Sequence, residues 1–228
     1  MSADGWYVAD AQRVATPFRY WRRRKGYNVE PIDLAVIHWT ATPHRKQDAH
    51  GSHESRIRRW LTGASGRESS THFVLMRSGM MLQGAPIGGP DDSRCWHAGG
   101  CKTPDGRGDC NGRSVGIDFE LVGHLERNVG ASRWVDGYGG TYHGPEPVEA
   151  GGRHWEPYRR APMGAFLGLA ALLAEDFPAL RDPANWVGHC DIRRTKSDPG
   201  AHFPWFLLRD MLEHRQMPEL ADVPGLIG

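Results

Sequence analysis

The run Ile32-Asp33-Leu34-Ala35-Val36-Ile37-His38 constrains the fold of this chain more than any other stretch. It follows Pro31, it is short, and its apolar residues are partly β-branched, so it reads as a buried strand ending on a polar residue. That places His38 at the mouth of a sheet. Thr71 to Met76 and Met80 to Gln83 flank Arg77-Ser78-Gly79, and the glycine permits the turn of a hairpin between the two apolar runs. Ser114 to Val122 reads as a third strand, carrying Asp118 and Glu120. Helices are predicted over Glu54 to Leu61, where Ile57, Trp60 and Leu61 share a face, and over Pro162 to Phe177. In the latter, Met163, Phe166, Leu167, Ala170, Leu173 and Phe177 form one apolar stripe, and Pro162 suits a first turn. A last helix is expected from about Pro204 to His214. Strands interleaved with helices imply an α/β fold: a single domain over 1–214 with a central mixed β-sheet flanked by helices. Residues 123–158 crowd glycine, proline and charge without periodicity and read as an inserted loop. The tail, 215–228, is expected to be loosely ordered.

Composition narrows the class. The chain has 228 residues, enough for one domain with embellishments. Its 28 Lys+Arg stand against 27 Asp+Glu, so no global charge draws it to nucleic acid or an anionic membrane. The basic run Trp21-Arg22-Arg23-Arg24-Lys25 reads as a solvated loop before the first strand. MSADGWYVADAQRVATP lacks the charged start and apolar core of a secretory signal, and no stretch approaches about 18 apolar residues. A soluble, cytoplasmic monomer with no stable membrane insertion is therefore expected. Cys95, Cys101, Cys110 and Cys190 match neither paired zinc knuckles nor a dense disulfide framework. Free thiols are the first reading, and a Cys101–Cys110 link across KTPDGRGD is its competitor.

Of twelve histidines, His44, His50, His53, His124, His143, His154, His202 and His214 sit in polar or terminal segments and are expected at the surface. His38 and His189 differ, because each directly follows a short apolar or aromatic run whose strand end would present the imidazole to a cleft. Downstream, GHCDIRRTKSDPG offers His189, Asp191, Lys196 and Asp198. A catalytic zinc site takes three protein ligands and keeps a fourth position open, and two imidazoles with one carboxylate suit it. Such a net positive site favours ionising water and polarising a carbonyl. Nothing resembling HExxH occurs, which sets aside a helix-borne zincin site.

LAVIHWTAT, THFVLMRSGMMLQ, CWHAGG, SVGIDFE and GHCDIRRTKSDPGAHFPW resemble, in order and at compatible separations, the blocks of the N-acetylmuramoyl-L-alanine amidase family. That family includes phage lysozyme-type amidases and peptidoglycan recognition proteins. The opening GWYVADAQRVATP also resembles its cytoplasmic, AmpD-type branch, which recycles anhydro-muropeptides. The resemblance covers roughly residues 5–121 and 160–210 and skips the segment from Gly123 to Tyr158. It implies Zn2+ held by His38, His189 and Asp198, with Lys196 as the catalytic lysine. A cation there can hold the oxyanion that develops during attack on an amide carbonyl.

The general base of the cytoplasmic branch is a glutamate, and the matching residue here is Asp118. Aspartate is one methylene shorter, so Glu120 is kept as the reserve: both residues lie on one face of a strand. Trp96 and His97 also fall in a matched block. Trp96 offers a face for sugar or peptide and His97 a hydrogen-bonding edge, with a packed structural role as the alternative for His97. His72 reads as core, and Cys190 and Asp191 as supporting groups beside His189. The resemblance thus implies cleavage of the amide between a muramyl sugar and L-alanine in peptidoglycan or its fragments. Two other readings stay open: a non-catalytic peptidoglycan-binding module, and a phage endolysin acting on intact wall.

Overall fold

The protein is described by a computed structural model covering residues 5–8, 12–14, 21–23, 31–43, 50–62, 69–88, 93–128, 130 and 132–228. Its strands are β1 Trp21–Arg23, β2 Leu34–Trp39, β3 Phe73–Leu75, β4 Met81–Gln83, β5 Ser93–Cys95, β6 Ser114–Phe119, β7 His124–Asn128, β8 Arg133–Asp136, β9 Val148–Ala150, β10 Arg153–Trp155, β11 Tyr158–Arg159, β12 Trp186–Gly188 and β13 Leu226–Ile227. Its α-helices are α1 His50–Leu61, α2 Cys110–Arg113, α3 Arg160–Asp176, α4 His189–Ile192 and α5 Trp205–His214.

The central sheet runs β12-β2-β6-β3-β4. Its first three pairings are parallel, and the β3–β4 hairpin adds an antiparallel edge, giving the expected mixed sheet. Side chains alternate across a strand, and β2 and β6 use the alternation to divide labour. Ala35, Ile37, Ile117 and Phe119 enter the main core with Phe166, Leu173 and Leu207 of α3 and α5. Leu34 and Val36 meet Ala98, Cys110 and Ile192 on the opposite face. His38 and Asp118 continue that second face and are direct register partners, at the carboxyl ends of parallel strands, where open α/β sheets collect their sites.

The apolar stripe of α3 is buried from Met163 to Leu173 as predicted, and the helix starts two residues earlier, at Arg160. Each large side chain in this stripe contributes roughly 1.5–3 kcal/mol by leaving water. An i,i+4 ion pair such as Arg58–Glu54 on α1 contributes only about 0.3–0.5 kcal/mol. Apolar packing therefore fixes the helices on the sheet. Among the described residues no helix is long and apolar enough to cross a membrane.

Several expectations are corrected. The segment read as an inserted loop forms a four-stranded antiparallel sheet, β8-β7-β10-β9, with a small core of Val122, Leu125 and Tyr142 under Trp134. It is tied to the main sheet by a buried ion network. The Arg77 guanidinium donates to Glu156 at 2.8 and 3.0 Å, to Glu120 at 2.9 Å and to the Thr42 carbonyl at 3.0 Å. The tail ends in β13, which pairs in parallel with β11 and buries Leu226. Trp21–Arg23 of the basic run is a strand paired with β5, while Arg24 and Lys25 lie outside the described residues. Cys101 and Cys110 are joined in a disulfide, and Cys95 and Cys190 are thiols. His202 is half-buried: its ring stacks on Trp155 at 5.5 Å, and its Nε2 lies 3.0 Å from the Glu156 carbonyl.

Two predictions follow from these contacts. The disulfide closes a span of nine residues, and loop-closure entropy for that length corresponds to about 2–3 kcal/mol. The double variant Cys101→Ser/Cys110→Ser should unfold at lower urea; a stability within about 0.5 kcal/mol of the parent would contradict this. Burial pushes the His202 imidazole down to about 4, below its ordinary value near 6.5. Between those values the unfolded chain binds the extra proton, so this contribution is complete above pH 6.5 and lost as the pH falls toward 4. In metal-free protein, His202→Gln should reduce the stability lost between pH 7 and pH 4.5, by at most about 3 kcal/mol. An equal loss in parent and variant would remove His202 as the cause.

Candidate metal centre

His38 reaches the site from the end of β2, and His189 from the junction where β12 turns directly into α4. That junction is fixed by Asp191, whose carboxylate accepts from the Gly188 N–H at 2.7 Å. Asp198 returns to the same place through the loop after α4. The Cys190 N–H donates to the Asp198 carbonyl at 2.9 Å, and Tyr158 Oη donates to the Pro199 carbonyl at 2.9 Å. Gly188 is required there: a Cβ on it would lie 2.5 Å from Pro199 Cδ.

The three buried side chains converge. His38 Nδ1 lies 2.9 Å from Asp198 Oδ2 and 3.0 Å from His189 Nδ1, and His189 Nδ1 lies 3.0 Å from Asp198 Oδ2. The far nitrogen of His189 points to the Ala98 carbonyl at 3.2 Å. A carbonyl only accepts, so His189 Nε2 carries the hydrogen, and in the neutral ring Nδ1 is a bare lone pair. Burial pushes His189 toward that neutral form, against the opposing pull of Asp198. Burial alone would raise the Asp198 carboxyl, but its close contacts with His189 and His38 hold it well below the usual carboxylate range. An imidazole lone pair and a carboxylate oxygen thus face each other in a buried space, an arrangement that calls for a cation. Tetrahedral zinc with bonds of about 2.0–2.1 Å needs donor atoms about 3.3 Å apart, and N, N, O is a donor set it accepts. The residues fit the ion.

Asp118 lies on the same face, and burial pushes its carboxyl up to about 6, with the neighbouring His38 and Lys196 acting against that rise. Such a group is matched to proton transfer near neutral pH. Glu120 does not share its surroundings. Its carboxylate accepts from the Arg77 backbone N–H and guanidinium, both at 2.9 Å, so it closes an ion network. The strand ends at Phe119, and the alternation that would have aligned residues 118 and 120 ends with it. Lys196 is exposed on the loop before Asp198, and its charge acts on both Asp118 and His189.

Trp96 is half-buried, with the Arg94 guanidinium 4.8 Å from its ring centroid. Both ring nitrogens of His97 face protein groups: its Nδ1 lies 2.9 Å from His38 Nε2 and its Nε2 3.1 Å from Ser114 Oγ. His72 is core, held between the Gly116 N–H and the Ser93 carbonyl. Sequence reasoning missed Ala98, which acts through its backbone and so leaves no side-chain signal. It also missed Asn111, whose Oδ1 accepts from both the His97 and Ala98 N–H groups at 3.0 and 2.8 Å.

Comparison with known proteins places this geometry. The family model for N-acetylmuramoyl-L-alanine amidase matches residues 28–201. Among solved structures, a selenomethionine derivative of AmpD is 25% identical over 91% of this chain and 97% of its own, with a TM-score of 0.61. AmpDh3 from Pseudomonas aeruginosa in complex with anhydromuramic pentapeptide is 22% identical over 81% of this chain and 61% of its own, TM-score 0.52. The amidase AmiD from E. coli, in complex with anhydro-N-acetylmuramic acid-L-Ala-D-gamma-Glu-L-Lys, is 24% identical over 83% and 60%, TM-score 0.51. The last two likenesses are of fold. No curated protein sequence matches. With the family model spanning most of its length and its buried imidazoles and carboxylate gathered at one end of the sheet, the chain belongs to the N-acetylmuramoyl-L-alanine amidase family.

Proposed function

We propose that this site hydrolyses the amide between the lactyl group of N-acetylmuramic acid, or its 1,6-anhydro form, and L-alanine, using zinc held by His38, His189 and Asp198. The observation that carries the reading is the convergence of three buried potential ligand atoms within about 3 Å of one another. Zinc bound there would supply a Lewis acid for the carbonyl and a water acidic enough to ionise near neutral pH. Asp118 takes the proton of the attacking water and returns it to the leaving alanine nitrogen. Lys196 places an ammonium where the carbonyl oxygen gains charge. The C–N bond breaks, water is added, and a muramyl sugar and a free peptide leave. Trp96 supplies an apolar face for the substrate. AmpDh3 and AmiD are both solved with a muramyl peptide, the chemical class this reading assigns to the cleft. All the named groups come from one chain, so a monomer suffices.

One observation favours a second reading of where the substrate lies. Cytosolic thiols are kept reduced, so the Cys101–Cys110 bond favours action on wall polymer outside the cytoplasm over recycling of soluble fragments inside it. Purified protein incubated with anhydro-muropeptide and with intact sacculi, each with and without chelator, distinguishes the two by the mass of the products. Zinc and muropeptide bound without release of free peptide would instead identify a binding module.

Asp198→Ala should abolish zinc retention and hydrolysis together; normal turnover with added zinc would refute the ligand assignment. Asp118→Asn should keep zinc and lower kcat by about 100- to 10,000-fold. Glu120→Gln should leave kcat near the parent value and lower thermal stability, because it discharges one buried carboxylate facing the part-buried Arg77. A loss of turnover in Glu120→Gln as large as in Asp118→Asn would reverse the choice of base.

A further inference from the structure

Both imidazoles that face the candidate metal are held from behind by one short segment, residues 96–100. His189 gives its Nε2 hydrogen to the Ala98 carbonyl. His38 meets His97, and from there a chain of hydrogen bonds runs to the backbone. His38 Nε2 lies 2.9 Å from His97 Nδ1, His97 Nε2 lies 3.1 Å from Ser114 Oγ, and Ser114 Oγ donates to the Cys110 carbonyl.

The polarity of that chain is set at its far end. The Cys110 carbonyl only accepts, so the Ser114 hydrogen is committed to it. Ser114 Oγ must then accept, and His97 Nε2 carries a hydrogen. In neutral His97 the Nδ1 is an acceptor, so His38 Nε2 donates to it. His38 Nδ1 is left as a bare lone pair facing Asp198 and His189. One peptide carbonyl in α2 thus determines the tautomer of a side chain at the end of β2, three hydrogen bonds away.

The seat for His97 is built to measure. Its ring lies over Gly116 on β6, where a Cβ would come within 2.6 Å of His97 Cγ. The Asn111 amide oxygen holds the N–H groups of both His97 and Ala98, locking the two outer contacts into one rigid piece.

We propose that His97, with Ser114 behind it, is a positioning residue that fixes His38 in the Nδ1-coordinating tautomer and orientation, and so governs metal affinity. This rests on the reading of His38, His189 and Asp198 as metal ligands. Loss of such an outer partner weakens metal binding by about 10- to 100-fold. Zinc affinity, measured by competition with a chromophoric chelator, is therefore expected to fall by that factor in His97→Ala. His97→Gln should recover most of it, since a glutamine oxygen can accept from His38 Nε2 while its NH2 donates to Ser114. Ser114→Ala, which removes only the polarity-setting link, should lose less than His97→Ala. A merely structural role would lower the melting temperature of the metal-free protein and leave the zinc affinity of the folded fraction unchanged. Parent-like affinity in folded His97→Ala would overturn the proposal, as would failure of His97→Gln to bind more tightly than His97→Ala. The parent protein and Asp198→Ala are measured alongside. A parent that binds no zinc would defeat the metal reading itself, whereas tight binding by the parent and by His97→Ala alike would defeat only the positioning role.

Discussion

Three atoms of metal-ligand type gathered in one buried space are the constraint on which the rest of the structure depends. His38 Nδ1, His189 Nδ1 and Asp198 Oδ2 stand about 3 Å apart, and His189 has committed its hydrogen to Ala98 on the outside. Lone pairs that face one another away from water repel, and the fold must hold them there. A ligand that binds the folded state alone stabilises it in proportion to its affinity, so a cation at this point would turn the repulsion into folding stability. Everything that orients the three donors therefore acts on folding and chemistry together.

The sheet supplies most of that orientation through the alternation of side chains. On β2, Ile37 goes to the core under α3 and His38 to the site, so the packing that anchors the strand also aims the imidazole. On β6, Ile117 and Asp118 repeat the division one strand over. Beyond the ends of these strands the part-buried Arg77 bridges the chain. It joins the hairpin turn to Glu120 after β6, to the Thr42 carbonyl after β2, and to Glu156 at the exit of the small sheet. A buried ion pair is weak evidence of net stability, but removing one partner leaves an uncompensated charge, and that fixes the geometry.

Much of this was legible in the sequence where periodicity was strong. The β2 run, the hairpin around Gly79 and the α3 stripe were readable because each is apolar on the face that packs, and the helix is long enough for its period to show. The small sheet from His124 to Trp155 was not: its strands have three to five residues, too short for alternation to register, and glycines at positive φ such as Gly139 and Gly151 read as loop. His38, His189 and Asp198 were found as candidates from their positions after apolar runs and from the resemblance of their blocks, and the structure brings them together. The partners of Glu120 and His97 are not legible in the sequence, for one physical reason. A side chain's partner is set by tertiary contact, by Arg77 in one case and by His38 and Ser114 in the other, and neither contact is local in the chain.

The segment from Ser93 to Ser114 shows how a loop can be made rigid enough to serve such a site. Loops ordinarily occupy the low-stability end of a protein, and a metal's outer partners cannot tolerate that. Regular structure is scarce here, limited to the three residues of β5 and the four of α2. Three ties replace it. Asn111 binds the two N–H groups that carry His97 and Ala98, the Cys101–Cys110 bond limits the excursions of the intervening loop, and the Lys102 N–H donates to the Ile192 carbonyl of α4. That last bond joins the loop to the helix that bears His189. Motion that moved Ala98 away from His189 would have to break a hydrogen bond at each side of it, so the imidazole and the carbonyl that orients it move as one body.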